Sequence, residues 1–274
     1  MVLKMNKFSD QQILSDNFSE NKNVLLLIGH LRTIKYLTKY HKKFLNNTKS
    51  DLIISTWIDD ETEEETFDMI KKELKPVYFE IEEFNFNSTT DIFGNTNKFD
   101  LMFGKASLST RSQIYKFSRS LKLIEKIEHL QNKKYEIIFK SRPDLFFFSS
   151  IKLQISDEII FFENTIGDWN RDRSDRFFYG KRNIFFSFIK ILEEYSKKAW
   201  NDKSMYPVLH KIPLQEQLMK YCVDKSKINT KPFLPTIRIW RPNKEPNIKN
   251  IIKIYLYMLL RNIRIYFYGN EKNY

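Results

Sequence analysis

Residues 135–148, YEIIFKSRPDLFFF, constrain the fold more than any other segment. An apolar run this dense reads as a central strand, and it runs straight into the charged turn Lys140-Ser141-Arg142-Pro143-Asp144. A central strand does not end in Lys, Arg and Asp without reason, because buried charges are costly unless they are paired. Asp144 at the end of such a strand is placed to reach a divalent cation or a sugar hydroxyl. Arg142 is placed to hold a phosphate or to fix Asp144. An Arg–Asp pair that merely closes the turn accounts for the same residues, and both readings stand at this point.

The rest of the chain supplies the partners for such a strand. NVLLLIG (residues 23–29) is a short apolar run bounded by Asn and Gly and reads as a buried strand. A basic helical stretch follows over about residues 33–46, then a second β-like run at 50–59 and an acidic stretch at 60–75 that turns helical. PVYFEIEEF (76–84) alternates apolar and acidic residues as a half-exposed strand does. Residues 85–100 read as a loop. In 101–131, Ile114, Phe117, Leu121, Ile124 and Ile127 recur at helical spacing. Further on, 157–164 reads as a strand, 167–176 as a polar loop, 177 onward as a short strand and then a helix, and 213–225 as a helix with Pro213 near its start. Strands alternating with helices predict an α/β fold with a mostly parallel central sheet flanked by helices. The expected division is a polar N-terminal extension (1–22), one catalytic-sized domain (23–246) and a basic C-terminal helix (247–274).

Composition excludes several classes. With 42% hydrophobic and 29% charged residues the chain is an ordinary globular one. The single cysteine, Cys222, excludes an intramolecular disulfide framework and a cysteine-based zinc cluster. His30, His41, His129 and His210 lack paired-ligand spacing. No apolar leader and no 18-residue apolar stretch are present, which predicts a cytoplasmic protein without a membrane span.

A net charge of +12 favours anionic partners. Nucleic acid is not expected among them, since no helix-turn-helix, RNA-recognition or zinc-finger pattern occurs. In residues 248–267, Lys249, Lys253, Arg261 and Arg264 fall on one third of a helical wheel opposite an aliphatic and tyrosine arc. That is the pattern of an interfacial helix on an anionic membrane surface, and equally of a helix packed on its own domain.

Ligands in parallel sheets bind beyond the carboxyl ends of the strands, so the residues just after each strand are the ones to read. In Gly29-His30-Leu31-Arg32-Thr33, the Gly admits a close backbone approach and Arg32 adds a fork to a helix N-terminus, which suits phosphate oxygens or a plain tight turn. In GDWNRDRSDRFFYG, Asp168, Asp172 and Asp175 alternate with Arg171, Arg173 and Arg176, either as a self-neutralising loop or as a substrate-side one. Glu216 lies near a helix N-terminus, where dipole electrostatics alone explains it. A base role requires it to face the cleft. Gly-rich phosphate loops and a GxSxG elbow are absent from the sequence.

Taken in order, these motifs resemble small bacterial surface-polysaccharide (capsule and lipopolysaccharide) glycosyltransferases of GT-A-like, WavE-like type. The resemblance covers roughly residues 23–242. It is carried by Gly29-His30-Leu31-Arg32, Ser55-Thr56-Trp57, Gln113-Ile114-Tyr115-Lys116, Tyr135 through Leu145, Asp175-Arg176-Phe177-Phe178-Tyr179-Gly180, and Glu216-Gln217-Leu218-Met219.

The resemblance implies a GT-A-like single Rossmann-type domain. It also implies transfer of a sugar from a nucleotide-sugar donor to a glycan or lipid-linked acceptor. Gly29, Arg32, Thr56, Trp57, Gln113, Lys140, Arg142 and Asp144 would hold the donor, and Asp175, then Glu216, would be the catalytic carboxylates. Asp144 would be the metal residue for Mg²⁺ or Mn²⁺. Because Arg142 stands where a second Asp would complete a D-x-D pair, metal-independence is the other expectation, with Arg32 and Arg142 neutralising the leaving diphosphate. Two further classes remain open: a non-catalytic membrane- or nucleic-acid-associated binding protein, and a transferase of another phosphorylated group.

Overall fold

The computed structural model describes residues 13–14, 19–57, 64–83, 86–94, 105–147, 153–163, 174–201, 214–233 and 237–239, together with Ile252 and Leu256. Its strands are β1 (Ile13–Leu14), β2 (Asn23–Ile28), β3 (Ser50–Trp57), β4 (Tyr78–Glu82), β5 (Ile137–Ser141), β6 (Leu145–Phe147), β7 (Ile159–Glu163), β8 (Phe177–Lys181), β9 (Asn229–Phe233) and β10 (Ile237–Ile239). Its α-helices are α1 (Ile34–Thr48), α2 (Glu64–Leu74), α3 (Thr90–Phe93), α4 (Lys105–Leu130), α5 (Arg182–Asn201) and α6 (Leu214–Ser226).

Eight strands form one sheet in the order β1-β4-β3-β2-β5-β8-β7-β9, and β10 pairs with β6 separately. β2, β3, β4 and β5 are mutually parallel. The expected α/β fold with a mostly parallel sheet is therefore the observed one. β8 reverses direction, antiparallel to β5 and to β7. That reversal brings the residues before β8 to the same edge as the carboxyl ends of β2 and β5.

The central strands are buried on both faces, as their unbroken apolar runs require. In β2, Val24, Leu26 and Ile28 join one core layer with Ile114, Phe117 and Ile124 of α4 and with residues of α5 and α6. Leu25 and Leu27 point the other way into a layer with Ile34 and Phe44 of α1 and Ile70 of α2. This period-two split makes three layers, helices on sheet on helices. Lys49 ends α1 in the left-handed region at φ 47°, its N–H bonded back to Asn46 and Leu45, so β3 begins one residue later.

Some expectations are corrected. β4 is buried rather than half-exposed, and Glu80 is only 3% exposed. Its acidic side chains face α4, where Arg119 forms a bidentate pair with Glu80 and Lys116 bonds Glu82 and approaches Glu80 at 3.9 Å. Ser55 of β3 donates to Glu80 at 3.0 Å. Alternation with acids thus marks an internal ion network here, because helix cations cross to meet them. Residues 85–100, expected as a loop, contain a 3₁₀ turn (Phe86–Thr89) and α3, whose Phe93 is buried against Trp200 with ring centroids 4.6 Å apart. β1, β9 and β10 were not anticipated; each is short, and β9 contains Pro232.

The expected tail helix and most of the 167–176 loop lie outside the described residues. Ile252 and Leu256 are helical and about half exposed, at 53% and 51%. Among the described residues no helix is long and apolar enough to cross a membrane.

Removing one partner of a buried ion cluster leaves the others uncompensated. Glu80→Ala should destabilise the protein by about 3 kcal/mol in urea unfolding. The double variant Glu80→Leu/Lys116→Met should cost less than the two single changes added together. Strict additivity would mean the two side chains are not coupled.

Candidate active site

Two turns meet where the strand order reverses. β2 is followed by α1 and β3 on one side, whereas the chain returns through α4 to place β5 on its other side. The crevice outside the carboxyl ends of such a strand pair is the usual ligand position in open α/β sheets. Gly29 follows β2 at φ 130°, a conformation that L side chains rarely adopt, and a Cβ there would stand 3.4 Å from Pro143 Cδ. The Gly29 and Pro143 turns therefore abut.

Each turn is pinned from below. Thr56 Oγ1 donates to the Gly29 carbonyl at 2.7 Å. His41 of α1, fully buried, bonds the Pro143 carbonyl through Nε2 at 3.0 Å. A carbonyl only accepts, so Nε2 carries the proton, and Nδ1 has no hydrogen-bond partner among the described residues. Burial holds the His41 pKa down at about 4, against the opposing pull of the Pro143 bond and the Asp144 charge. The ring is neutral at pH 7.

The charged residues interlock around this point. Arg142 donates from Nε and Nη2 to the two oxygens of Asp144, at 2.9 and 2.8 Å. Its Nη1 lies 3.9 Å from Asp175. Asp175 also accepts from Gln113 of α4, and its backbone carbonyl accepts from Lys140. Burial lowers the Lys140 pKa to about 7 despite the Asp175 charge. Burial alone would raise the Asp175 pKa, but the Lys140 and Arg142 charges and the Gln113 bond outweigh it, and Asp175 titrates below the ordinary carboxylate range. Arg176 and Glu216 face each other at 3.7 Å.

All of these side chains but Lys140 line one cavity of about 420 Å³, within the range of small-molecule sites. Its walls include Gly29, Arg32, Trp57, Gln113, Arg142, Asp144, Asp175 and Glu216. The structure thus gathers eight of the ten residues singled out in the sequence, from turns and helices far apart in the chain. Thr56 and Lys140, expected at the donor, lie beneath the wall instead, 0% and 1% exposed. They act by fixing Gly29 and Asp175.

Other lining residues were not assigned a role from sequence, among them His30, Arg176, Lys116 and Ser109. Lys116 Nζ sits 4.0 Å over the Trp57 ring, while Trp57 stacks on Tyr115 at 5.7 Å. The ion network behind β4 thereby sets one wall of the cavity. His41 was legible in principle: it falls on the buried face of α1 with Ile34, Leu37 and Phe44.

A divalent cation was one expectation for Asp144. Both oxygens of that carboxylate accept hydrogen bonds from Arg142. Among the described residues no three His, Cys, Asp or Glu side chains converge as a metal site requires. The residues described here do not fit the ion.

No family model matches the chain, and no curated protein does. Solved structures similar in part include two glycan-related enzymes. One is a glycosyltransferase involved in the glycosylation of the major capsid of PBCV-1, at 11% identity and TM-score 0.39, covering 77% of this chain and 81% of that one. The other is core-mannan synthase A from Aspergillus fumigatus in its Mn/GDP form, at 12% identity and TM-score 0.44, covering 80% of this chain and 74% of that one. Likeness at these values assigns neither a family nor an activity.

His41 makes the turn pH-sensitive with a definite sign. Its folded pKa of about 4 lies below the ordinary 6.5, so between these values the unfolded chain binds more protons. Stability from this group is full above pH 6.5 and falls by about 3 kcal/mol as pH drops to 4. The drop in thermal midpoint between pH 7 and pH 4.5 should be smaller in His41→Gln, which cannot titrate, than in the wild type. Parallel profiles would mean His41 protonates without cost.

Proposed function

We propose that this chain is a glycosyltransferase that moves a sugar from a nucleotide-sugar donor to a surface-glycan acceptor, carried out in a GT-A-like domain. The observation that carries the reading is the convergence of Arg32, Arg142 and Arg176 with Asp144, Asp175 and Glu216 on one cavity at the switch point of the sheet. These come from the segments on which the resemblance to surface-polysaccharide glycosyltransferases rests.

The chemistry follows from charge. When the bond from the anomeric carbon to the donor phosphate breaks, negative charge develops on the departing nucleoside diphosphate. Preorganised guanidinium groups stabilise that charge without reorganising. Arg32 lies at the start of α1, where helix N–H groups add to the positive field.

The acceptor hydroxyl must lose a proton as it attacks the anomeric carbon. Of the two catalytic carboxylates, Asp175 is held ionised by Lys140, Arg142 and Gln113, which makes it a weak base. Its role in this reading is to hold Arg142 and Gln113 in place. Glu216, which lines the same cavity with Arg176 at 3.7 Å, is assigned as the base, reversing the order expected from sequence.

Thermal unfolding with UDP, GDP or CMP against a short oligonucleotide tests the class. A nucleotide-dependent rise in midpoint is expected, and a rise only with the oligonucleotide would make the chain a nucleic-acid module. Arg32→Ala should weaken nucleotide binding by about 1.5–3 kcal/mol by calorimetry, and unchanged affinity would remove Arg32 from the site.

Glu216→Gln should lower kcat for transfer by about 10²–10⁴-fold with the donor KM little changed. Near-normal turnover would return the base role to Asp175.

A further inference from the structure

We infer that Asp144 is a positioning residue that aims Arg142 at the donor diphosphate, and that the site binds this diphosphate with guanidinium groups and no divalent cation. The inference rests on the donor reading above and specifies how that donor is held.

The pairing geometry comes first. Arg142 and Asp144 form a two-point fork through Nε and Nη2, across the single intervening residue Pro143. Such forks are the strong, directional form of the carboxylate–guanidinium pair. Pro143 restricts the backbone between them, and His41 anchors its carbonyl from beneath. Asp175 approaches Nη1 from another direction at 3.9 Å. The guanidinium is thus oriented by two carboxylates, while Arg142 keeps 28% of its side chain exposed and lines the cavity.

Electrostatics points the same way. A divalent cation on Asp144 would have to share its two oxygens with the fork, on the lone pairs that Arg142 leaves open. It would then sit within a few ångströms of the Arg142 guanidinium, with Arg32, Lys116 and Arg176 lining the same cavity. Like charges at such distances repel strongly in a partly desolvated site. Arg142, two residues before Asp144, sets a cation beside it in place of a second carboxylate. Of the three carboxylates on the cavity wall, Asp144 and Asp175 are turned to Arg142 and Glu216 to Arg176, so each already faces a guanidinium.

Calorimetric titration of the full chain with UDP and with GDP decides the matter, each in EDTA and in millimolar Mn²⁺ or Mg²⁺. Wild-type affinity in EDTA should match that with metal within about threefold. Asp144→Asn should weaken binding by about tenfold or more under both conditions, and Arg142→Lys likewise, because an ammonium cannot make the fork. A tenfold or greater tightening of wild-type binding by either metal overturns the inference and leaves the donor reading standing. Unchanged affinity in folded Asp144→Asn overturns it too. Failure of both nucleotides to bind, with metal and without, overturns the donor reading, and the inference falls with it. The wild-type comparison needs no variant and so decides even if a substituted chain fails to fold.

Discussion

The contact between the turn after β2 and the turn after β5 is the constraint on which the site depends. Gly29 adopts φ 130° with Pro143 packed where a side chain would begin. Any other residue would strain the backbone and press on Pro143. Because the two turns touch, Arg32 and Arg142 face one cavity from adjacent strands. The hydrogen bonds from Thr56 and His41 hold the two carbonyls that define those turns. Both donors are buried and neither lines the cavity, yet they fix the turns that carry Arg32, Arg142 and Asp144.

Two groups of buried charge among the described residues are internally compensated, which offsets the cost of desolvation. Glu80, Glu82, Lys116 and Arg119 form one group between β4 and α4. Lys140, Arg142, Asp144 and Asp175 form another at the ends of β5 and the start of β8. The first holds Trp57 in the wall through Lys116. The second fixes the protonation state of Asp175 and the direction of Arg142. Packing and electrostatics are therefore a single problem on this edge of the sheet: the bonds that make burial tolerable are those that orient the groups facing the cavity.

Much of this was legible in the sequence, and the reasons are physical. Apolar runs bounded by Gly, Asn or charge located β2, β3, β5 and β7, because a strand covered on both faces has no other composition to adopt. The long period of Ile114, Phe117, Leu121, Ile124 and Ile127 located α4. The rule that ligands sit beyond strand ends then picked out most of the cavity wall. Thr56 and Lys140 were misplaced because adjacency to a strand end does not reveal which face a side chain takes. A one-residue step turns it from cavity to core. The burial of Glu80 was hidden because its partners, Lys116 and Arg119, lie more than thirty positions away. The reversal of β8 was hidden for a related reason, since strand direction is a property of the connection and not of the strand's own residues.

The separation of the pocket's parts along the chain bears on how the protein is made. β2 pairs with β5 through Asn23 and Ile137, neighbours in space that are far apart in synthesis order. The walls run from Ile28 to Glu216. A nascent chain that has emerged only as far as β4 lacks β5, and with it the Pro143 contact to the Gly29 turn. Long-range pairing of this kind is slow, since the chain entropy of closure is lost before the contact forms. The cavity is consequently complete only once Glu216 of α6 has joined its wall.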